Sequence, residues 1–182
     1  MIESIPPADR NLILTGYFGP NQIVVARRVA QDLGMPFVNF ETRLEQSADL
    51  PIEDIRVRYG EARLKTLEAE VMQELLLYRG AVILMSGHTL LHSDYLTRLS
   101  DAGQVVCLTA TLDAVLQRLH LSLGARFHNP AERAMAIGRL KREWAIRKSP
   151  DIQEFDTTGM TENEIVNALV EMWREQVLFI RG

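Results

Sequence analysis

The feature that most constrains this chain is the stretch LILTGYFGPNQIVVARRVAQDLGMPFVNF at residues 12–40. A short apolar run ends at Gly16, a second glycine follows at Gly19, an amphipathic segment begins at Gln22, and another apolar run closes the stretch. This order of strand, glycine turn and helix N-terminus is typical of a phosphate-binding loop. The stretch therefore predicts an α/β fold with an anion-binding turn after its first strand.

The residues after the second glycine differ from those that phosphoryl transfer requires. A working loop places a lysine on the transferred phosphates and a hydroxyl on Mg²⁺ at the next position, where this chain has Gln22 and Ile23. Glutamine can donate a hydrogen bond but carries no charge, isoleucine does neither, and Pro20 lacks a backbone donor. We therefore expect a loop that holds an anion weakly and transfers no phosphate by the usual route. The remnant of the loop consists of Gly16, Gly19, Asn21 and Gln22.

The composition excludes several classes of protein. With 182 residues, 47% of them hydrophobic and 24% charged, the chain is expected to form one domain with a sizeable core. A formal net charge of −4 gives no basic footprint for nucleic acid, and no apolar run is long enough to span a membrane. The single Cys107 excludes an internal disulfide and lies in an apolar run typical of a buried thiol. We see no secretory signal and expect a cytoplasmic protein with no nucleic-acid partner and no membrane insertion.

Apolar runs and helical spacings alternate along the chain. Strands are predicted at residues 12–16, 37–40, 81–86, 104–110 and 154–158, and most are continuously apolar, as in strands covered on both faces. Helices are predicted at residues 22–33, 61–78, 111–121, 132–147 and about 161–176. The segment 123–134 fits no strand and is expected to be a mobile connection. This alternation predicts a three-layer α/β domain.

Several segments follow one known family in order and spacing. These are NLILTGYFG, VARRVAQDLGMPFVNFE, GEARLKTLEAEVMQELL, GAVILMSGH, REWAIR and FDTTGMTENEIV. From residue 11 to about 168 the chain resembles the shikimate kinases. The resemblance implies a single domain over residues 1–182, with a five-stranded parallel sheet of P-loop kinase topology and a lid at about 123–134.

The resemblance also implies a ligand site, but the family's residues carry over unevenly. The family's pair of acidic residues after the second strand becomes Asn39 and Glu41, so only the carboxylate expected to face the substrate hydroxyls remains. A substrate-binding arginine becomes Lys65, which keeps the charge but loses the bidentate fork. The implied ligand-binding residues are Glu41, Lys65, Gly87, His88, Arg126 and Arg142. Of these, His88 stands where the family keeps empty space, Arg142 is the family's second substrate arginine, and Arg126 is aligned with the lid arginine.

Together these residues favour a shikimate-kinase-like pseudokinase, with no catalytic residue and no cofactor, that binds a small anionic molecule or a protein partner. A first alternative is an active small-molecule kinase that uses ATP and Mg²⁺ and has moved its cation to Lys65, Arg27 or a lid arginine. A second is a scaffold that uses the surface of the fold, with the old pocket closed by His88, Phe40 and Trp144. The spacing of His88 and His92 lacks an accompanying acidic residue or cysteine, so no metal site is expected.

Overall fold

The computed structural model describes residues 6–124 and 128–181, with side chains through residue 179. Five parallel strands form one sheet in the order β2-β3-β1-β4-β5, as predicted. The strands are β1 (Asn11–Gly16), β2 (Phe37–Asn39), β3 (Val82–Leu84), β4 (Gly103–Thr109) and β5 (Gln153–Asp156). All five overlap the predicted strands, because strands buried on both faces are written as continuous apolar runs.

Helices cover both faces of the sheet. They are α1 (Gln22–Leu33), α2 (Phe40–Ala48), α3 (Ile52–Leu75), α4 (Gly87–Leu90), α5 (Tyr95–Ala102), α6 (Leu112–Leu123), α7 (Pro130–Trp144) and α8 (Glu162–Arg181). Short 3₁₀ helices lie at Pro7–Asp9 and Ala145–Lys148. The sequence did not predict helices α2, α4 and α5.

Three predicted boundaries were wrong. Helix α3 begins at Ile52 rather than residue 61, because Gly60, with a φ of 79°, joins two helical segments across a kink. Helix α7 begins at Pro130, within the predicted connection, because Asn129 accepts a hydrogen bond from the Ala131 amide (2.9 Å) and proline suits the first helical position. Helix α8 continues to Arg181, past residue 176. Residues 125–127 of the predicted lid, including Arg126, lie outside the described residues.

The core has two halves, one on each face of the sheet. Leu12 and Leu14 of β1 pack against residues of α1 and α8, whereas Ile13 between them packs against residues of α3. Cys107 is fully buried, as predicted, and burial raises the pKa of its thiol to about 12. Among residues 6–124 and 128–181, no helix is long and apolar enough to cross a membrane.

The carboxyl ends of the strands meet at one edge of the sheet, where ligands bind in open α/β sheets. The glycine loop follows β1, the Ser86–Gly87 turn follows β3, and the 157–161 segment follows β5. These three connections, with α6 and α7, form the candidate site.

Candidate functional site

The glycine loop is held by the close approach of its backbone to the sheet. Gly16 has a φ of 85°, and a Cβ at this position would lie 2.3 Å from the carbonyl oxygen of Leu108. Only glycine fits this conformation and this gap. The predicted turn after the first strand is therefore present.

Side chains brace three consecutive carbonyl groups of this loop. Gln22 Nε2 donates to the Gly16 oxygen (2.7 Å), Trp144 Nε1 to the Tyr17 oxygen (2.9 Å), and Arg118 Nη1 to the Phe18 oxygen (2.9 Å). The loop is thus tied to α1, α7 and α6 together. Trp144 lies against the loop and anchors it, whereas the scaffold alternative has this residue close the pocket.

The two positions that define phosphoryl transfer are occupied by neutral groups with other roles. The side-chain N–H of Gln22 donates to the Gly16 carbonyl oxygen, and its Oε1 atom is buried with no hydrogen-bond partner among the described residues. Ile23 is 44% exposed and has no group that can ligate a cation. Neither side chain supplies positive charge to the loop.

A carboxylate stands against the loop. The Asn21 side-chain amide donates to Glu162 Oε1, at the start of α8. Sequence reasoning assigned Asn21 to the loop but did not connect it to Glu162. The contact joins residues far apart in the chain. Its only sequence signal is the Thr161-x-x-Glu164 pattern of a capping box, which places Glu162 at the start of a helix.

The loop forms one wall of a cleft of about 530 Å³. Residues of α6 and the segment from Gly159 to Glu162 form the other walls. Arg118 lies between these walls, and its guanidinium donates to four oxygens: Phe18 O, Thr157 Oγ1, Thr157 O and Met160 O. Burial lowers the pKa of Arg118, while Asp156 and Glu162 oppose that effect. Sequence reasoning missed Arg118, whose signal was a single arginine within the apolar spacing of α6.

Two carboxylates converge on the turn after β3. Glu41 Oε1 accepts from the Ser86 amide (3.0 Å). Glu143, which is 8% exposed, accepts from Ser86 Oγ (2.8 Å) and from the Gly87 amide (2.6 Å). A Cβ on Gly87 would lie 2.4 Å from the Glu143 carbonyl oxygen, so α7 packs directly on this turn. The backbone donors of the turn are therefore occupied by the chain's own carboxylates.

The Glu41 carboxyl group titrates near neutrality. Burial raises its pKa from 4.5 to about 7, the Glu143 charge adds to this rise, and Arg139 and the Ser86 amide act against it. Arg139 also stacks over the Tyr17 ring at 5.2 Å. Arg139 thus lies between the glycine loop and Glu41, a position that sequence reasoning did not assign.

The remaining predicted ligand residues lie apart from these contacts. Lys65 and Arg142 are exposed, and their side chains make no hydrogen bond, ion pair or ring contact within the described residues. The helical period explains why Arg142 is exposed. Leu140 and Glu143 occupy the inner face of α7, and the two residues between them, Lys141 and Arg142, are exposed. Their roles in ligand binding stay predictions.

His88 lies at the edge of the turn and does not fill it. Its side chain is exposed, and its ring meets that of His92 edge-on at 4.9 Å. Glu68 lies 3.5 Å from His92 Nδ1, an acidic neighbour that the sequence spacing did not show. In the part of the chain that the structure describes, no group of three or more His, Cys, Asp or Glu residues could hold a metal ion.

The sequence and the fold are both similar to those of known proteins. The shikimate kinase family matches residues 24–174, from just after Gln22 and Ile23 to near the end of the chain. The chain is 31% identical to the shikimate kinase of Geobacter sulfurreducens, over 94% of this chain and 95% of that protein. It is 26% identical to that of Thermodesulfovibrio yellowstonii, over 89% and 94% respectively.

Solved structures share the fold. The shikimate kinase from Bacteroides thetaiotaomicron superposes with a TM-score of 0.73 at 19% identity, covering 92% of this chain and 99% of that one. The shikimate kinase from Acinetobacter baumannii in complex with shikimate gives 0.68 at 21% identity, covering 94% of each chain. These likenesses confirm the predicted P-loop kinase topology.

Proposed function

Because this chain belongs to the shikimate kinase family, we propose that it is a member that binds a small ligand without transferring phosphate by the family's usual route. One observation carries the proposal. Gln22 replaces the phosphate-binding lysine and turns its amide N–H inward to the Gly16 carbonyl. The loop keeps its shape through this bond, but it gains no cation from it.

Charge neutralisation is most of what a phosphoryl-transferring site supplies. Losing a single preorganised donor typically lowers kcat by about 10²–10³-fold. Here Gln22 and Ile23 remove both the lysine and the magnesium-ligating hydroxyl. The expected loss is therefore at least that of a single donor.

The retained cleft supports ligand binding. A volume of about 530 Å³ between the loop and α6 is within the range of small-molecule sites. Lys65 and Arg142, the cations predicted to meet a small anionic ligand, are not among the residues that line this cleft, and their side chains have no partner within the described residues. The carboxylates Glu41 and Glu143 oppose an anion at the Ser86 turn itself.

The same proposal includes a second possibility, in which the chain binds a protein partner instead of a small molecule. Leu178 and Phe179, near the end of α8, are 65% and 88% exposed. Such side chains are common on surfaces, so they support a partner only weakly.

Glu41 and Arg139 favour the alternative of an active kinase. A carboxylate with a pKa of about 7 is suited to accept a proton from a substrate hydroxyl at neutral pH. Arg139 stacks on Tyr17 of the loop and could replace the missing cation. If this alternative is right, Arg139→Met will abolish a measurable phosphoryl transfer.

The deciding experiment measures ADP release from Mg·ATP in the presence of shikimate, side by side with the shikimate kinase of Geobacter sulfurreducens. We expect a rate at least about 10³-fold below that of the relative. A rate within about a hundred-fold of the relative would establish the active kinase and overturn the proposal. Calorimetric titration with shikimate tests the anionic ligand in the same preparation.

A further inference from the structure

A second cleft, of about 550 Å³, lies at the edge of the sheet opposite to the glycine loop. It is lined by Gln104 and Gln153, at the amino ends of β4 and β5, and by Arg10, which immediately precedes β1. The last turns of α8 form its other wall. This cleft shares no lining residue with the cleft beside the glycine loop.

The end of α8 exposes apolar side chains that the packing of the helix does not use. The buried face of α8 runs from Ile165 to Trp173 at helical spacing. Leu178 and Phe179 fall outside this face and are 65% and 88% exposed. Phe179 also lines the second cleft and lies one turn after Glu175 on the same face of α8. An aromatic side chain therefore projects into solvent beside the cleft.

The two charged residues that line this cleft have opposite signs and are not paired. Arg10 donates one hydrogen bond, to the Gly103 carbonyl oxygen (3.2 Å), and Glu175 is exposed. Neither forms an ion pair within the described residues. The other polar residues that line the cleft are neutral glutamines. The cleft thus presents one unpaired cation and one unpaired anion on the same surface.

This surface is complementary to itself. A two-fold dimer brings the same surface of two copies together, so each residue meets a different residue of the other copy. Phe179 and the cleft are one such pair of complements, and Arg10 and Glu175 are another. Because both members of each pair lie on one surface, the contact closes as a dimer and does not continue as a filament.

We propose that a second copy of this chain binds this surface about a two-fold axis. Phe179 of each copy enters the cleft of the other, and Arg10 of each copy pairs with Glu175 of the other. The inference rests on the part of the proposed function that allows a protein partner, and it names that partner. It does not depend on the loss of phosphoryl transfer, because the glycine loop lies at the opposite edge of the sheet.

The test is sedimentation velocity of the purified chain over a range of concentrations. An interface with a single aromatic anchor from each copy is expected to give a dissociation constant of about 1–100 μM. Phe179→Ser should raise this constant at least about ten-fold. Leu77→Ser is the matched control, because Leu77 is 79% exposed and lies outside the cleft, so it should leave the constant unchanged.

Charge reversal tests the proposed pairing directly. Arg10→Glu and Glu175→Arg each bring like charges together in both pairs of the dimer, so each should raise the dissociation constant at least about ten-fold. In an equimolar mixture of these two variants, both pairs of a mixed dimer have opposite charges again. The mixed dimer should therefore form with an affinity within about three-fold of that of the unchanged chain. Recovery in the mixture also shows that both variants are folded.

Two results would overturn the inference. One is a monomer at every concentration up to about 500 μM. The other is a dimer whose dissociation constant does not respond to Phe179→Ser or to either charge reversal, because its interface would then lie elsewhere. Both are measured without nucleotide or shikimate, whereas the loss of phosphoryl transfer is decided by ADP release, so the two failures are distinguishable.

Discussion

Removal of the Glu143 carboxylate tests how the Ser86–Gly87 turn is held. In Glu143→Ala the Gly87 amide and the Ser86 hydroxyl lose bonds of 2.6 and 2.8 Å in a site where Glu143 is only 8% exposed. Hydrogen bonds to a charged group contribute about 1.5–3 kcal/mol each, and a buried donor left unpaired costs about 1–3 kcal/mol. Relief of the repulsion between Glu143 and Glu41 returns part of this.

We therefore expect the free energy of unfolding to fall by about 2–4 kcal/mol in Glu143→Ala, and by less in Glu143→Gln, which keeps one acceptor oxygen. Urea denaturation with linear extrapolation measures both values. Glu154→Gln is the control, because Glu154 forms a partly exposed ion pair with Arg147 (2.8 Å) and should cost no more than about 1 kcal/mol. A decrease in unfolding free energy of less than about 0.5 kcal/mol in Glu143→Ala would refute the reasoning, because an unpaired buried donor costs at least about 1 kcal/mol.

Three further changes have calculable outcomes. Gly87→Ala places a Cβ 2.4 Å from the Glu143 carbonyl oxygen and should cost at least about 2 kcal/mol in urea denaturation. The pKa of Glu41 rises from 4.5 to about 7 on folding, so the native state binds this proton more tightly than the unfolded state does. The shift corresponds to about 3 kcal/mol of stability. This stabilisation is fully present below pH 4.5 and is lost as the pH rises through 7. Glu41→Gln should remove that slope from a plot of unfolding free energy against pH. Arg118→Met removes one donor from each of four oxygens, of which the Thr157 carbonyl keeps the Met160 amide (3.1 Å). We expect a loss of about 2–4 kcal/mol and faster amide exchange in the loop around Phe18.

The sequence predicted the sheet better than the helices that shape the site. Parallel strands are buried on both faces, so each one is an apolar run that can be recognised locally. Helix α2 begins at Phe40, immediately after β2, and Asn39 is both the last strand residue and the cap that accepts from the Glu41 amide. No turn signal separates the two elements, so the apolar run by itself predicts only a strand. Helix α4 has four residues, too few for a periodic pattern.

The candidate site could be predicted only where its residues follow one another in the chain. The loop residues Gly16 to Gln22 were found because their order is a local pattern. Glu143 was missed because its neighbour Arg142 matched the family, and only the helical phase with Leu140 indicates which of the two turns inward. Glu162 accepts a hydrogen bond from Asn21 of the loop, which lies 141 positions earlier in the chain, so no local pattern can indicate this contact.

The loss of charge at Gln22 and the bracing of the loop are connected. Gln22 Nε2 donates to the Gly16 carbonyl, and the next two carbonyls are held by Trp144 and Arg118. A lysine at position 22 that reached outward to a phosphate would give up the bond to Gly16, while Glu162 would still oppose the phosphate at Asn21. The loop is thus stabilised by contacts within the chain, and under the proposed function we expect Gln22→Lys to strengthen phosphate binding only when Glu162 is changed as well.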